Sequence, residues 1–271
     1  MRRHALPLLL AATLFAAGCS GTSSTPKAAQ EPTAVSGTVS VIGGAPLDGQ
    51  GQLQLELVDV SRQPNVVVTR KTQTVSSLPA GFSLPFAADA ISTGDLYVLT
   101  ANMQDAQRKF VTPIQYPVLT RGNAARVSVQ LKPLPTAGEQ ALAGFEAVKA
   151  QLGALKYTNG DQSEVGFSRG WQIFRDKDGK VVFVRELEDA GDKGFTTTEM
   201  AYRDGKPWVV VQSVAAKRGQ RPRLIRRAGW DASGALVLRE RVAAGSSGTL
   251  SAAEAKALYG DAQAMLAKAG Q

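Results

Sequence analysis

The sequence has almost none of the side chains that enzymes most often use for nucleophilic or metal chemistry. It contains one Cys and one His in 271 residues, and these are Cys19 and His4, both near the amino terminus. A Ser-His-Asp or Cys-His site needs an imidazole, and a zinc site needs several Cys or His ligands. A single Cys also excludes internal disulfides. The composition therefore predicts a protein that is not an enzyme of these classes and that binds no metal or cofactor.

A long hydrophobic run is also missing. The apolar stretch from Ala5 to Ala17 has only thirteen residues and follows the basic start Arg2-Arg3. A membrane-spanning helix needs about 20 apolar residues, so this stretch is typical of a secretory signal peptide, residues 1–18.

Small residues directly before Cys19 resemble the lipobox of bacterial lipoproteins, in the order Ala16-Ala17-Gly18-Cys19. The resemblance implies cleavage after Gly18 and acylation of Cys19 with diacylglycerol and a further fatty acid such as palmitate. Several acyl chains would hold the protein on a membrane, whereas one chain holds only marginally. Ser20 is not the Asp that retains lipoproteins in the inner membrane, which favours the outer membrane. An ordinary signal peptide with an incidental Cys is the alternative.

Residues 19–34 combine the expected lipidated terminus with a segment rich in Ser, Thr, Ala and Pro that shows no apolar period. Such a composition is typical of a flexible tether. A tether of this length has a typical reach of about 20 Å, so the first folded domain would lie close to the lipid surface.

Residues 35–135 show short segments with a period of two. Leu53, Leu55 and Leu57 alternate with polar residues, and the alternation then shifts to Val58 and Val60, which suggests a bulge or a bend. Gly, Pro, Asn and Asp separate seven or eight such segments, and no helical stretch of useful length intervenes. This pattern predicts an antiparallel β-sandwich.

Six motifs in this region, taken in order, resemble the YbaY family of lipoproteins, which is grouped with the YscW-type lipoprotein chaperones of type III secretion. The motifs are Ser36-Gly37-Thr38-Val39, 55–62, 82–86, 97–101, 116–120 and 127–131. The segment from Gly43 to Leu47 departs from the family pattern because it is short and lacks a basic lead-in. The resemblance implies an outer-membrane-anchored periplasmic sandwich, a role like that of pilotins, which assist secretin assembly, and no catalytic residues.

A Pro-rich segment, 132–138, marks the predicted boundary of a second domain, 138–271. A helix is expected from Glu139 to Leu152. Three Asp/Gly turns then follow at similar spacing, at Asp176 to Gly179, Asp204-Gly205 and Asp231 to Gly234. Because such turns between apolar runs favour hairpins, we expect a six-stranded antiparallel meander.

The chain ends with a second predicted helix that begins at a capping box, Ser251 and Glu254, and runs to about Ala269. With one helix before the sheet and one after it, an α+β domain is expected in which both helices cover one face. The whole protein is therefore predicted to be mainly β.

A basic hairpin is the strongest candidate contact site in this second domain. Six cations lie within eleven residues without an acidic residue among them: Lys217, Arg218, Arg221, Arg223, Arg226 and Arg227. The functional interpretation is contact with an anionic lipid, glycan or partner. The alternative is a solvated hairpin, partly facing an acidic turn that contains Glu186, Glu188, Asp189 and Asp192. The aromatic residues are not interleaved as in single-strand readers, so no nucleic acid is expected.

Three other features have structural interpretations that compete with functional ones. Asp176 and Asp178 resemble part of a calcium loop but lack its remaining ligands, so a hairpin turn is expected. The three tryptophans, Trp171, Trp208 and Trp230, are expected in the core rather than on a ligand platform. No acidic pair is singled out by the sequence for a glycosidase.

These patterns predict a lipid-anchored periplasmic protein of the outer membrane, without enzymatic activity, that binds an envelope or secretion-apparatus protein in the manner of a pilotin. The alternative is an envelope binder of anionic lipid or glycan that uses the basic hairpin. A hydrolase that relies on carboxylates alone is a third hypothesis.

Overall fold

The computed structural model describes residues 32–121, 123–243 and 245–270. Strands dominate this part of the chain, which confirms the mainly β class, and two α-helices accompany the second of two sheets. No helix among the described residues is both long enough and apolar enough to cross a membrane.

The first sheet contains eight strands. They are β1 (Ala34–Val41), β2 (Gly51–Asp59), β3 (Val66–Val75), β4 (Ala80–Pro85), β5 (Tyr97–Gln104), β6 (Lys109–Val111), β7 (Tyr116–Val118) and β8 (Arg126–Pro133). Their order is β3-β2-β5-β6-β8-β1-β4, and β7 pairs with β5 beyond the end of β6. The inward side chains form one core that includes Leu53, Leu55, Leu57, Leu99 and Phe110.

The strand alternation of β2 produces this core directly. Every second residue from Gly51 to Asp59 is buried, so the apolar side chains share one face. The predicted bulge lies at the expected place but in the neighbouring strand. Leu57 is opposite Thr69 whereas Val58 is opposite Val67, so the extra residue is Val68 of β3 and the alternation of β2 itself continues.

One pair of strands departs from the predicted antiparallel arrangement. β1 and β8 run parallel, with Ser36 opposite Arg126 and Val41 opposite Leu131. The sequence pattern cannot distinguish the two directions here, because β1 and β8 are the first and last strands of this sheet along the chain, and the six strands between them let the chain return in either direction.

The end strands of the first sheet, β3 and β4, are linked by side chains. Lys71 Nζ donates to the carbonyl oxygen of Ser83 at 2.8 Å, and Gln73 Nε2 donates to that of Gly81 at 3.0 Å. The sheet therefore curls until its two ends meet around the common core.

The second sheet is an antiparallel meander of eight strands, two more than predicted. They are β9 (Lys156–Glu164), β10 (Phe167–Arg175), β11 (Val181–Asp189), β12 (Phe195–Arg203), β13 (Lys206–Ala215), β14 (Leu224–Trp230), β15 (Leu236–Ala243) and β16 (Ser246–Gly248). The six central strands are the three predicted hairpins, each closed by one of the three Asp/Gly turns.

The two additional strands are the end strands, and both are polar. β9 has the sequence KYTNGDQSE and is exposed along nearly its whole length, while β16 is only three residues long. Neither shows the apolar period on which strand prediction depends. Backbone pairing with β10 and β15 holds them in place.

The helices α1 (Ala137–Ala150) and α2 (Ala252–Ala269) pack on opposite faces of the second sheet, so the prediction that both cover one face is wrong. Met200 and Val210 face α2, whereas Ala201 and Val209 face α1. The central strands are apolar on both faces and must be covered on both, since successive side chains of a strand point in opposite directions.

Both helices begin at a capping box. Ser251 and Glu254 cap α2 as predicted. Thr136 and Glu139 cap α1 in the same way, so this helix begins at Ala137, two residues before the predicted start, and ends at Ala150.

Candidate functional site

The six basic residues predicted as an anionic contact occupy one loop and the strand that follows it. Arg226 and Arg227 lie within β14 and are half-buried. The remaining four lie in the loop between β13 and β14 and are exposed. These loop cations are Lys217, Arg218, Arg221 and Arg223.

The two strand arginines are already paired. Arg226 Nη1 donates to Gln212 at 2.8 Å, and Arg226 Nε lies 3.6 Å from a carboxylate oxygen of Glu254. On the opposite face of the sheet, Arg227 Nη1 lies 2.7 Å from a carboxylate oxygen of Glu240. These contacts connect β14 to α2 and β15, so the strand arginines stabilise the packing of the second sheet.

The loop cations have a different environment. Arg223 donates to the carbonyl oxygen of Lys193 at 3.5 Å, so this loop lies beside the acidic β11–β12 turn, as the meander predicts. None of the ion pairs in the described part of the chain involves a loop cation. The positive charge of the four loop cations, at this end of the strands, is therefore open to solvent.

Two of the acidic side chains face away from this loop. Glu186 is buried and accepts a hydrogen bond from Arg169 Nε, and a Glu188 oxygen lies 3.8 Å from the same nitrogen. The Glu186 carboxylate raises the pKa of the Arg169 guanidinium. Burial, and then the negative charge of Glu186, raises the pKa of Glu188.

This acidic pair is part of the contact between the sheet and α2. Arg169 Nη2 lies 3.9 Å from Met265 Sδ, and the Tyr202 hydroxyl donates to the Ala262 carbonyl oxygen at 2.9 Å. Burial raises the pKa of Tyr202, so its proton stays on the oxygen. Because Glu186 is bound by Arg169, the arrangement favours helix docking over acid–base chemistry.

The acidic turn at Asp176 forms the predicted hairpin turn. Its carboxylate accepts from the backbone N–H of Asp178 at 3.0 Å and from that of Lys180 at 2.9 Å. The side chain that resembled a calcium ligand thus closes the β10–β11 hairpin.

Two of the tryptophans lie in the core as predicted. Trp208 and Trp230 are buried, and the Arg203 guanidinium lies 3.7 Å from the Trp208 ring centre. Trp171 is half-buried, and Lys268 Nζ lies 3.3 Å from its ring centre. Trp208 and Trp171 are thus packing residues with cation–π neighbours, whereas Trp230 packs against the ring of Tyr259 at 4.8 Å between ring centres.

A hollow of about 460 Å³ opens at one end of the first sheet and was not found by sequence reasoning. Its walls are the end of β1, 40–41, part of the turn that follows it, 44–47, and the β3–β4 turn, 76–79. Leu47 and Leu78 form its apolar floor on the sheet core. Ile42, which follows the lining residue Val41 in the chain, is 44% exposed. The one sequence feature that could have pointed to this hollow was the short Gly43–Leu47 segment, where the sequence departs from the family pattern.

The predicted signal peptide, the lipidation site Cys19 and most of the tether lie outside the described residues. Their interpretation depends on the sequence alone.

Comparison with known proteins gives a family match and a distant structural similarity. No curated protein matches the chain. A solved alternative pilotin from the type II secretion system of Vibrio cholerae is 20% identical, and the match covers 38% of this chain and 96% of that one with a TM-score of 0.35. Residues 30–131, which include β1 to β7 and most of β8, match the family model of the type III secretion system lipoprotein chaperone, YscW, and this confirms the resemblance seen in the ordered strand motifs.

Proposed function

We propose that this protein is a non-enzymatic, lipid-anchored periplasmic protein of the outer membrane that assists the assembly of an envelope or secretion-apparatus protein. The match of residues 30–131 to a lipoprotein chaperone family carries the proposal. The match includes nearly all of the first sheet, so the unit that would act as the chaperone is present as a folded whole.

The anchor is the first part of the proposal. Residues 1–18 are removed, Cys19 is acylated, and residues 20–34 tether the first sheet, 35–135, to the membrane. The unit 138–271 follows. The sequence supports this through the small residues before Cys19 and the lack of an apolar period in the tether. With a reach of about 20 Å, the tether would keep the chaperone unit beside a client that inserts into the same membrane.

The contact surface is the second part. We place it at the hollow beside Ile42, because an apolar floor is combined there with an exposed branched side chain on the residue that follows the lining Val41. Transfer of such apolar surface from water contributes about 25 cal/mol per Å². The volume of about 460 Å³ suits a few side chains of a client segment.

The test measures how much secretin-type multimer is assembled in the outer membrane of cells that lack the protein and are complemented with variants. Ile42→Asp should reduce assembly by about tenfold, since a charge next to the hollow must be desolvated on binding. Ile114→Asp is the matched control, because Ile114 is 63% exposed in the loop between β6 and β7, and neither it nor its chain neighbours line the hollow. Equal effects of the two variants, or no effect of removing the protein, would contradict the proposal.

The anchor has its own readout in the same cells. Cys19→Ala should abolish labelling with a radioactive fatty acid and leave the precursor uncleaved. Unchanged labelling would refute the lipidation of Cys19 without bearing on the chaperone surface.

A second function is favoured by the four loop cations, which make no ion pair among the described residues. They would contact anionic headgroups or glycan phosphates. Each cation near an anionic surface contributes about 1 kcal/mol. The double variant R221E/R223E should therefore lower the ratio of binding to anionic over zwitterionic vesicles by at least about tenfold.

The ratio isolates the loop because a lipid anchor contributes equally to both kinds of vesicle. The matched control is K177E/K180E, which makes the same charge change at exposed residues of the β10–β11 turn. This turn and the β13–β14 loop lie at opposite ends of the strands. A ratio that falls equally for both variants would indicate a general charge effect and exclude a site at the loop.

A further inference from the structure

The outer strand β9 presents an open edge. Its nine residues pair with β10 on one side, and no described strand pairs with the other side. Eight of the nine are exposed, and the pairing with β10 runs from Glu164 to Lys156 without a bulge. The strand contains no proline. Proteins commonly protect such edges by a bulge, a proline, a covering loop or charged side chains. β9 has charged side chains but neither a bulge nor a proline, so a strand that pairs with it must match its charges.

The charges of β9 fit a second copy of the same strand. Antiparallel pairing centred on Gly160 places residue i opposite residue 320 − i of the copy. Lys156 of each copy then lies opposite Glu164 of the other, and Asn159 lies opposite Asp161. Opposite charges at directly opposed positions stabilise a strand pair, whereas like charges destabilise it. Neither Lys156 nor Glu164 has an ion-pair partner within the described chain.

The apolar residues fit the same register. Val165, at the turn after β9, is fully exposed and has the largest exposed fraction among the large hydrophobic residues described. In the two-fold pairing it lies opposite Leu155 of the copy. Leu155 and the half-exposed Tyr157 line an open hollow of about 510 Å³. Each copy thus has a projecting side chain, Val165, at one end of β9 and a hollow at the other end. In the two-fold pairing the Val165 side chain of each copy lies at the hollow of the other, which gives two equivalent contacts.

The centre of the strand also allows this approach. A Cβ at Gly160 would lie 2.4 Å from the Trp171 ring, so the indole of β10 extends over Gly160 towards the proposed axis. The indoles of two copies would then lie near one another across the axis and add apolar contact to the backbone pairing.

We propose that β9 is a self-association edge, through which two copies of the chain pair in antiparallel register about Gly160 to form one continuous sheet. The interaction is independent of the proposed chaperone role, since it uses only residues 155–165 and Trp171, all in the second unit.

A disulfide experiment on the full chain tests the register. Cysteines at Asn159 and Asp161, which are opposed between copies, should form a covalent dimer on oxidation. Within one copy these positions are two residues apart on one face, which is too far for a disulfide. The control has cysteines at Thr158 and Asp161. These two positions point to opposite faces of the strand and are not opposed between copies, so no disulfide should form. Equal crosslinking of both variants, or of neither, would overturn the proposal.

Charge exchange tests the pairing without cysteines. Sedimentation velocity of the full chain in mild detergent should show a concentration-dependent dimer. Lys156→Glu and Glu164→Lys should each weaken it at least about tenfold, because each creates two like-charge contacts. An equimolar mixture of the two variants should restore the dimer, since every contact is then between opposite charges.

Val165→Asp should also weaken the dimer, and because this side chain is exposed the circular dichroism spectrum should not change. A parent chain that remains monomeric at every concentration, or a mixture that fails to recover association, would overturn the proposal.

Discussion

The buried carboxylate of Glu199 joins α1 to the second sheet. Its side chain is 10% exposed, and it lies 2.6 Å from Lys149 Nζ of α1 and 3.1 Å from Arg185 Nη2 of β11. Removal of one partner from a buried charged network leaves the others unsatisfied. Glu199 therefore fixes the position of α1 more than an exposed ion pair could.

Glu199→Gln should lower the free energy of unfolding of the second sheet by about 1–3 kcal/mol. The neutral amide keeps the shape of the side chain but leaves two cations without a counter-charge. Urea denaturation followed by tryptophan fluorescence is a specific measurement, because all three tryptophans lie in strands of this sheet.

Glu240→Gln is the control for this prediction. Glu240 pairs with Arg227 on the same sheet, but its side chain is 35% exposed. Solvent screens this pair, so its loss should cost less than about 1 kcal/mol. A cost for Glu240→Gln equal to that for Glu199→Gln would contradict the role assigned to burial.

Each of the two helices contains an interior glycine, and the two glycines differ in what their replacement by alanine should do to stability. Gly144 in α1 lies against Trp208, and a Cβ there would be 2.5 Å from the ring. Gly260 in α2 is exposed, and a Cβ there would meet no atom within 4 Å. Glycine costs a helix interior about 1 kcal/mol relative to alanine, so α1 keeps Gly144 for the close approach of Trp208.

Gly144→Ala should therefore destabilise the second sheet by about 1–3 kcal/mol despite its better helix propensity. Gly260→Ala should stabilise it by about 0.5–1 kcal/mol. The midpoints of urea denaturation, again followed by tryptophan fluorescence, measure both changes. Stabilisation by Gly144→Ala would mean that Trp208 can move aside at little cost.

Strands and helices were predicted correctly where apolar side chains recur with a regular period. Strands that are held only by backbone pairing were missed. The three central hairpins were predicted because Asp/Gly turns separate apolar runs. β9 and β16 were missed because both are polar and add to the sheet as edges. The loop cations were found as a cluster, but only the structure distinguished them from Arg226 and Arg227, which pair with residues distant in sequence.

At the scale of the whole molecule, a short joint connects the first sheet to α1. Arg108, in the turn before β6, lies 2.6 Å from Glu139 and donates to the carbonyl oxygen of Leu134 at 3.3 Å. The same carboxylate accepts from the Thr136 backbone N–H at 2.9 Å. The Arg108 guanidinium, and then this N–H, hold the pKa of Glu139 below its ordinary value.

Arg108→Ala should raise the pKa of Glu139 towards, but not fully to, its ordinary value, because the Thr136 N–H remains. A lowered pKa in the folded state contributes stability above the unfolded pKa of about 4.3, and this is lost as pH falls through the folded value. The stability difference between Arg108→Ala and the parent should thus be present at neutral pH and shrink in acid.

A carboxyl-detected NMR titration of Glu139 measures the pKa shift directly. Arg62→Ala is the control, since Arg62 pairs with Asp59 and Asp95 and has no contact with Glu139 among the ion pairs described. An unchanged Glu139 titration in Arg108→Ala would show that Arg108 does not set this pKa.

The sequence by itself determined most of the strand and helix patterns, the turns between them, both ends of α2 and the resemblance of residues 35–135 to lipoprotein chaperones. These are local properties, because a period, a cap or a turn is written in residues close along the chain. Only the tertiary structure decided the parallel pairing of β1 with β8, the opposite placement of α1 and α2, the hollow beside Ile42 and the open edge of β9. Each of these depends on which distant residues meet, and an exposed or doubly buried strand has no period that reveals its partner.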